Sequence, residues 1–165
     1  MALIFPEDSV GTEQSTLEIL AALVAANAPG VTVEAGTYKG HFAENALEVA
    51  PRTTVFTADT IDHGYSPASK WIYDYRGDFE DMLFVLNINH VDFAFIDSGP
   101  PFVEGEEFER GVRKRHYDAV KQRMVSGGVI CCHDTNSTDW FGADEIIANA
   151  TIRITSGRGL TVEVL

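Results

Sequence analysis

The segment VEAGTYKG, residues 33–40, is the most informative part of this sequence for predicting its fold. It overlaps the β-branched run Val31-Thr32-Val33, which predicts a short strand, and it precedes a helix predicted from about His41 to Ala50. Gly36 and Gly40 let the backbone turn tightly and approach a ligand closely. The free N–H groups at the start of the helix suit a carboxylate. The segment therefore predicts a strand-turn-helix unit that binds a ligand.

Predicted strands and helices alternate along the rest of the chain. Further strands are predicted at 54–57, 71–75, 91–96 and 129–132, and further helices at 78–86, 109–124 and 143–150. The spacing of Ser15 and Glu18 is that of a capping box and predicts the start of the first helix. A predicted hairpin, 151–155 and 160–164, follows around a Gly-containing turn. This order predicts an α/β fold, a doubly wound Rossmann-like sheet that is mostly parallel with an antiparallel addition at or near one edge.

The composition indicates one globular domain, residues 1–165, with 45% apolar and 22% charged residues. No apolar run is long enough to span a bilayer, so we expect a cytoplasmic protein. The net charge of −13 argues against a nucleic-acid partner, because such proteins need a basic surface to displace counterions from phosphates. The one basic cluster, Arg110 to Arg115 with Lys121 and Arg123, is interpreted as a solvated helix face.

The two cysteines, Cys131 and Cys132, are adjacent in a predicted strand. Neighbouring strand residues point to opposite faces, so these thiols cannot easily form a disulfide with each other. They lack metal-binding spacing and are interpreted as buried apolar residues.

Acidic residues follow the predicted strands at the edge where a doubly wound sheet binds its ligands. Asp59 ends the second strand, 25 residues after Glu34, where its carboxylate can accept hydrogen bonds from both hydroxyls of a ribose. After the third strand, Asp78 can accept from an adenine amino group, and Phe79 can stack on the ring or offer its backbone N–H. Together with residues 34–40, these positions predict a pocket for a nucleoside that carries an amino acid.

The chain resembles class I S-adenosylmethionine-dependent methyltransferases, in particular small O-methyltransferase-like families related to the catechol-type and the macrocin- or cephalosporin-pathway enzymes. The resemblance is carried, in the family's order, by VEAGTYKG (33–40), FTAD (56–59), RGDF (76–79), VDFAFIDSGPP (91–101) and SGGVICCHDTN (126–136). It covers nearly the whole chain and implies a seven-stranded sheet whose last two strands form the terminal hairpin. It also implies S-adenosylmethionine as cofactor and O-methylation of a small polar acceptor.

The resemblance assigns the parts of the cofactor to the strand ends. Glu34 and residues 36–40 are expected to hold the methionine part, Asp59 the ribose, and Asp78 with Phe79 the adenine. The full set of expected cofactor-binding residues is Glu34, Ala35, Gly36, Thr37, Tyr38, Gly40, His41, Asp59, Thr60, Gly77, Asp78, Phe79 and Asp97. We expect Gly36→Val to abolish cofactor binding while leaving the fold intact.

The reaction is expected where the next two strands end. Asp97 and His133 are the candidate catalytic residues, since both would flank the acceptor and a histidine can serve as general base near neutral pH. The alternative is that His133 only caps its strand. His116 and His63 can also reach the site, but for both the preferred interpretation is a solvated surface position.

A magnesium ion is a further expectation from the resemblance. Catechol-type relatives hold the ion between carboxylates after these two strands, where it lowers the pKa of the acceptor oxygens. Asp97 and Asp134 match those positions, and Asn136 can supply a third oxygen because residues two apart share a strand face. The chain departs from the pattern twice, because Thr135 separates the Asp-Asn pair and Pro100 replaces a lysine. Magnesium-dependent and metal-free transfer therefore stay open.

Three alternatives use the same sheet. A nicotinamide-dependent oxidoreductase requires a G-x-G-x-x-G fingerprint that the turn lacks. A module that keeps the cofactor without transferring its methyl group, and an enzyme that cleaves the cofactor, both stay open. The chain shows no large insertion to form a lid, so a homodimer partner is one way to complete the acceptor pocket. Gly99-Pro100-Pro101-Phe102 resembles the motif of methyltransferases acting on base amines, but it lies beyond the strand end and is interpreted as a loop stiffener.

Overall fold

Seven strands form one sheet in the computed structural model, which describes residues 3–5, 12–99, 111–136 and 142–165. The strands are β1 Val31–Ala35, β2 Thr54–Asp59, β3 Ile72–Arg76, β4 Val91–Ile96, β5 Met124–His133, β6 Ile152–Ile154 and β7 Leu160–Val164. The helices are α1 Gln14–Asn27, α2 His41–Val49, α3 Phe79–Val85, α4 Val112–Lys121 and α5 Ala143–Asn149. Among these helices, none combines the length and the apolar character needed to cross a membrane.

The strand order is β3-β2-β1-β4-β5-β7-β6, which confirms the predicted doubly wound sheet. Strands β1 to β5 are parallel, and β7 runs antiparallel to both of its neighbours. The terminal hairpin therefore extends one edge of the sheet, with β6 as the outermost strand. Chain order reverses between β1 and β4, since β1 leads outward to β2 and β3 before the chain crosses back. A ligand crevice is expected at this point.

Different helices cover the two faces of the sheet. Helices α1 and α2 pack on one face around Phe42, Phe93 and Phe95, while α3, α4 and α5 cover the other. Cys131 belongs to the first cluster and Cys132 to the second, which confirms that they are buried core residues pointing to opposite faces. Burial raises the pKa of both thiols, that of Cys132 to about 12.

The predicted capping box at the start of α1 is wrong. The N-cap is Glu13, whose carbonyl accepts the first helical hydrogen bond from the Leu17 N–H at 3.0 Å, and Ser15 lies inside the helix. The Glu13 carboxylate makes no capping bond. It instead contacts His133 at the end of β5, so a tertiary contact displaces the local motif.

Strand β5 begins five residues earlier than the predicted Val129, at Met124. Its register against β4 shifts between the Val91–Met124 pair and the Phe93–Val129 pair, which leaves residues 125–128 as a bulge. Gly127 lies in this bulge with φ +81°, a conformation that favours glycine. Gly127 and Gly128 therefore belong to β5 and lie within its bulge.

The aromatic packing under α2 gives a test of the core. Phe93 is fully buried and stacks with Phe42 at 6.1 Å between ring centroids. We expect Phe93→Ala to lower the free energy of unfolding by about 3–5 kcal/mol, measured by urea denaturation at an unchanged m-value. Phe84→Ala is the matched control, because Phe84 is 81% exposed, and should stay within about 0.5 kcal/mol of the parent protein. Equal effects of the two changes would contradict this assignment of the core.

Candidate active site

A cavity of about 690 Å³ opens at the carboxyl ends of the parallel strands, where the chain order reverses. The volume is in the range of small-molecule sites. Every predicted cofactor residue lines it except Ala35 and Gly40. The side chain of Ala35 packs in the core, and Gly40 is the N-cap of α2 and lies against the ring of Tyr65. These two residues therefore support the wall of the cavity without lining it.

The turn after β1 is pinned to both neighbouring strands. The Gly36 N–H donates to the Ala58 carbonyl of β2 at 2.9 Å. On the other side, a Cβ placed on Gly36 would lie 2.7 Å from the Asp97 carbonyl oxygen and 3.0 Å from the Ser98 nitrogen. With φ at +96°, this position needs glycine both for its backbone conformation and for the close approach.

Glu34 is buried beneath the turn, with only 2% of its surface exposed. Its Oε2 accepts a hydrogen bond from the Thr57 hydroxyl at 2.6 Å, and that hydroxyl lies 2.5 Å from the hydroxyl of Thr37. Burial raises the pKa of Glu34 well above its usual range, against the hydrogen bond from Thr57, and the negative charges of Asp97 and Asp59 raise it further. The protonated acid is thus favoured, and it can donate a hydrogen bond into the cavity as well as accept one.

Asp59 joins the turns after β1 and β2. Its Oδ2 accepts from the Tyr38 N–H at 2.9 Å and its Oδ1 from the Ile61 N–H at 3.0 Å. Tyr38 adopts φ +46°, which directs its N–H toward this carboxylate. His63 lies beside it, with Nε2 at 3.9 Å from Oδ2, and also lines the cavity. The His63 side chain remains 28% exposed, so it reaches the site and is still partly open to solvent.

Asp78 occupies the corresponding position after β3 and caps α3, where its Oδ1 accepts from the Glu80 N–H at 2.9 Å. Its Oδ2 lies 3.2 Å from an Arg115 nitrogen and 3.3 Å from His116 Nε2. The other ring nitrogen of His116, Nδ1, lies 2.9 Å from the Ser98 hydroxyl oxygen. These contacts form a continuous hydrogen-bonded row from Asp78 through His116 to Ser98, and all three residues line the cavity.

The solvated position predicted for His116 is wrong, since only 4% of its surface is exposed. Burial lowers the pKa of His116 below its ordinary value of 6.5, and the positive charge of Arg115 acts in the same direction, while Asp78 and Glu80 oppose them only in part. The neutral ring is therefore favoured at pH 7. Because a carboxylate can only accept, Nε2 carries the hydrogen toward Asp78 and Nδ1 accepts from the Ser98 hydroxyl.

His133 lies at the end of β5 and is fully buried, and it does not line the cavity among the described residues. Its Nδ1 is 3.0 Å from Asp97 Oδ1 and its Nε2 is 2.6 Å from Glu13 Oε2. Burial lowers the pKa of His133, but the negative charges of Asp97, Asp134 and Glu13 outweigh this effect and raise it above 6.5. A ring held between carboxylates in its charged form has no lone pair with which to accept a proton, so the geometry does not support His133 as general base.

Asp97 lines the cavity and stays ionised. Burial raises its pKa, but His133, Arg113 and the Thr12 hydroxyl, which donates to Oδ2 at 2.7 Å, together lower the pKa to about 2. A carboxylate with so low a pKa is a poor proton acceptor at pH 7. It can still accept a hydrogen bond and orient a bound group.

Asp134 lies beside Asp97, as the sequence predicts, but two arginines contact its carboxylate. Arg113 Nη2 is 2.7 Å from Oδ2, and Arg158 reaches the carboxylate with Nε and Nη2, each at 2.6 Å. The third predicted metal ligand, Asn136, points elsewhere, because its side-chain amide donates to the carbonyls of Thr155 and Gly157 in the terminal hairpin. Asn136 therefore shapes the turn of the hairpin.

These residues do not fit a magnesium ion. Mg²⁺ needs oxygen ligands at about 2.0–2.1 Å in octahedral geometry. The ligand atoms of Asp97, His133 and Asp134 lie within 4.8 Å of one another, so the strand ends do converge. However, Arg113 Nη2 contacts both Asp134 Oδ2, at 2.7 Å, and Asp97 Oδ1, at 3.4 Å. The guanidinium thus lies where an ion bridging the two carboxylates would have to be.

Arg113 is the principal residue that the sequence interpretation missed. The basic cluster on α4 was expected to face solvent, yet Arg113 is 7% exposed and reaches both strand ends. The helix buries Arg113, His116, Tyr117 and Val120, which have the i, i+3, i+4, i+7 spacing of one helix face. That spacing is the signal in the sequence that would have placed Arg113 and His116 inward. The prolines and Phe102 of the predicted loop stiffener lie outside the described residues.

No known protein-family profile matches the sequence, and a search of curated proteins gives no significant match. Solved structures do match the fold. TomG, an O-methyltransferase of Streptomyces achromogenes involved in tomaymycin synthesis and solved with SAM, has 12% identity and a TM-score of 0.69, with 97% of this chain and 91% of that chain covered. An O-methyltransferase of Bacillus cereus solved with SAH has 13% identity and a TM-score of 0.68, covering 96% and 84%.

A third structure, the SAH-bound methyltransferase PaMTH1 of Podospora anserina, has 14% identity and a TM-score of 0.69, and the match covers 96% of this chain and 81% of that one. The chain therefore has the seven-stranded fold of these methyltransferases over nearly its whole length. At such identities the likeness shows the fold, and the reaction has to be argued from the site.

The close packing at Gly36 predicts a stability effect that changes the expectation for substitutions there. A side chain on Gly36 would meet backbone atoms of Asp97 and Ser98, so we now expect the fold itself to be disturbed. Gly36→Ala should lower the free energy of unfolding by about 2–4 kcal/mol in urea denaturation, through backbone strain and overpacking together. Gly64→Ala is the matched control, because Gly64 has φ +75° but no atom within 4 Å of the added Cβ, and should cost only about 1–2 kcal/mol. A smaller loss at Gly36 than at Gly64 would contradict the packing described here.

Proposed function

We propose that this chain is an S-adenosylmethionine-dependent methyltransferase that transfers the methyl group to an oxygen of a small polar acceptor. One observation carries the proposal: the Gly36 turn, the Asp59 carboxylate and the Asp78 turn line a single cavity at the strand-order reversal. The fold shared with SAM- and SAH-bound methyltransferase structures supports it. No dinucleotide fingerprint is present in the Gly36 turn, which argues against the nicotinamide alternative.

The residues around the cavity fit the chemical groups of the cofactor. The turn from Gly36 to Tyr38 and the first residue of α2, His41, would hold the amino-acid part, with the protonated acid of Glu34 below it. Asp59 and Thr60 would bind the ribose hydroxyls, since each oxygen of a carboxylate can accept more than one hydrogen bond. The Gly77-Asp78-Phe79 turn would border the adenine. When bound, the sulfonium cofactor supplies an electrophilic methyl group.

The residues of the chain then have to orient the acceptor and receive its proton. The contacts favour His116, acting through Ser98, over the predicted His133 as the proton acceptor. Ser98 donates its own hydrogen to His116 Nδ1 at 2.9 Å, so its oxygen can accept a hydrogen bond from an acceptor hydroxyl. The acceptor's proton would pass to Ser98 and the Ser98 proton to His116 as the acceptor oxygen bonds to the methyl carbon and the bond from that carbon to the sulfonium sulfur breaks, leaving SAH. Asp78, 3.3 Å from Nε2, stabilises the imidazolium that results.

A small acceptor agrees with the size of the cavity, and the chain's net charge of −13 disfavours a nucleic-acid substrate. The cytoplasmic location, the homodimer and the single-domain organisation stay predictions. A methyl-transfer assay separates the proposed function from two alternatives, because cofactor cleavage and cofactor binding without transfer both leave the acceptor unmethylated.

Cofactor binding gives the first test of the proposed function. Calorimetry should show heat of binding with S-adenosylmethionine and with SAH but none with NAD. Asp59→Ala should weaken SAH binding about 30-fold, because two hydrogen bonds to a charged group are lost. Asp62→Ala is the control, since the Asp62 side chain is 75% exposed, and should leave the affinity within about twofold. Folded wild-type protein that gives no heat with either form of the cofactor would overturn the proposal.

The proton acceptor gives a second test. His116→Asn should reduce methyl transfer about 100-fold, on the best acceptor from a panel of catechols, sugars and small acids, with SAH affinity changed less than about threefold. His90→Asn is the control, because the His90 side chain is 70% exposed, and should be fully active.

The expected pH profile follows from the lowered pKa of His116. The charged groups that act on His116 are Asp78 and Glu80, at the start of α3, and Arg115 on its own helix. A base with a lowered pKa stays unprotonated at pH 7, so wild-type kcat should be level near neutrality. It should fall only as the pH drops through the His116 pKa, below 6.5. This acid limb should disappear in His116→Asn, and its persistence there would assign the base to another group.

A further inference from the structure

The side chain of Arg113 links the ends of β4 and β5 from within the protein. Its Nε donates to the Ser98 carbonyl at 2.6 Å and its Nη1 to the His133 carbonyl at 2.8 Å. The remaining nitrogen, Nη2, faces Asp134 Oδ2 at 2.7 Å and Asp97 Oδ1 at 3.4 Å. Every nitrogen of the guanidinium thus contacts one of the two strand ends.

The two backbone contacts fix the plane and the position of the guanidinium. Its side chain is only 8% exposed, so the group cannot turn out to solvent without breaking four contacts. A divalent ion shared by Asp97 and Asp134 would need their oxygens at about 2.0–2.6 Å. Nη2 occupies the space between those same oxygens, so the ion and the guanidinium exclude each other.

The charge of the site leads to the same conclusion. Two carboxylates, Asp97 and Asp134, face two guanidiniums, because Arg158 also forms an ion pair with Asp134, at 2.6 Å. A divalent cation added to this arrangement would introduce an excess of positive charge at a largely buried site, which is costly. The pair of carboxylates is therefore already neutralised by side chains of the chain itself.

We infer that Arg113 is a built-in cation that replaces the divalent metal ion between the ends of β4 and β5, so that this site binds no metal. Arg113 is a positioning residue: it holds the two carboxylates and the Ser98 carbonyl in place. In combination with the proposed function, the inference defines the acceptor class. An acceptor with one nucleophilic oxygen suffices, because no ion is present that must be chelated by two neighbouring oxygens.

The test measures metal binding, so its result does not depend on whether methyl transfer is the reaction. Mn²⁺ is titrated into wild-type protein, with and without SAH, and free Mn²⁺ is followed by electron paramagnetic resonance. Wild-type protein should bind no Mn²⁺ at this site up to about millimolar concentration. Arg113→Met keeps much of the side-chain volume but removes the charge, and should bind Mn²⁺ at least about tenfold more tightly than the wild type. Arg153→Met, at an exposed position, is the matched control and should behave like the wild type.

One further variant and one further measurement test the interpretation. The double variant Arg113→Met with Asp134→Asn lacks one of the carboxylates and should lose the gained Mn²⁺ binding. Mn²⁺ should also raise the Tm of Arg113→Met, because the ion replaces the missing positive charge, while leaving the wild-type Tm unchanged. If Arg113→Met folds only with Mn²⁺ present, the inference is supported.

Tight Mn²⁺ binding by the wild type that disappears in Asp134→Asn would overturn the inference, whatever the variant Arg113→Met does. A folded Arg113→Met protein that binds no Mn²⁺ would also overturn it. The first of these outcomes needs only the wild type and Asp134→Asn, so the inference stays testable if Arg113→Met does not fold. Failure of cofactor binding in calorimetry would affect the proposed function alone.

Discussion

The pairing of β1 with β4 is the constraint on which the rest of the site depends. These strands are neighbours in space but not in the chain, and their parallel register brings Ala35 opposite Ile96. The turns that follow the two strands therefore touch, and at Gly36 the approach is so close that a Cβ has no room. The cavity forms on either side of this contact, with the turns after β2 and β3 on one side and the turn after β4 together with helix α4 on the other.

The second half of the site depends on charge compensation within the protein. Carboxylates at the ends of β4 and β5 would repel each other if they were left alone in a buried place. Arg113 lies between them, Arg158 pairs with Asp134, and Glu13 from the start of α1 contacts His133. Elements distant in the chain are held together by this network. Removing one of its members would leave an unpaired buried charge, which is more destabilising than the absence of the whole network.

Two buried histidines show how burial and neighbouring charges determine the protonation of the same side chain. His133 lies among Asp97, Asp134 and Glu13, so its charged form is favoured. His116 has burial and Arg115 acting against its charged form, so its neutral form is favoured. The same side chain is thus a structural cation in one place and a candidate base in the other. The sequence alone favours His133 as the base, because functional residues lie at strand ends in this fold. The contacts in the structure favour His116, which lies on α4.

The sequence alone is sufficient to predict the order of strands and helices, the doubly wound sheet, the two buried cysteines and many of the residues that line the cavity. Those features follow from local patterns, such as strand periodicity, glycine turns and acidic residues at strand ends, which act within a few residues. Tertiary structure alone decided the roles of Glu13, Arg113, His116 and His133. Their protonation and contacts depend on carboxylates contributed by other elements, and the distances between elements are set by packing that no short stretch of sequence contains.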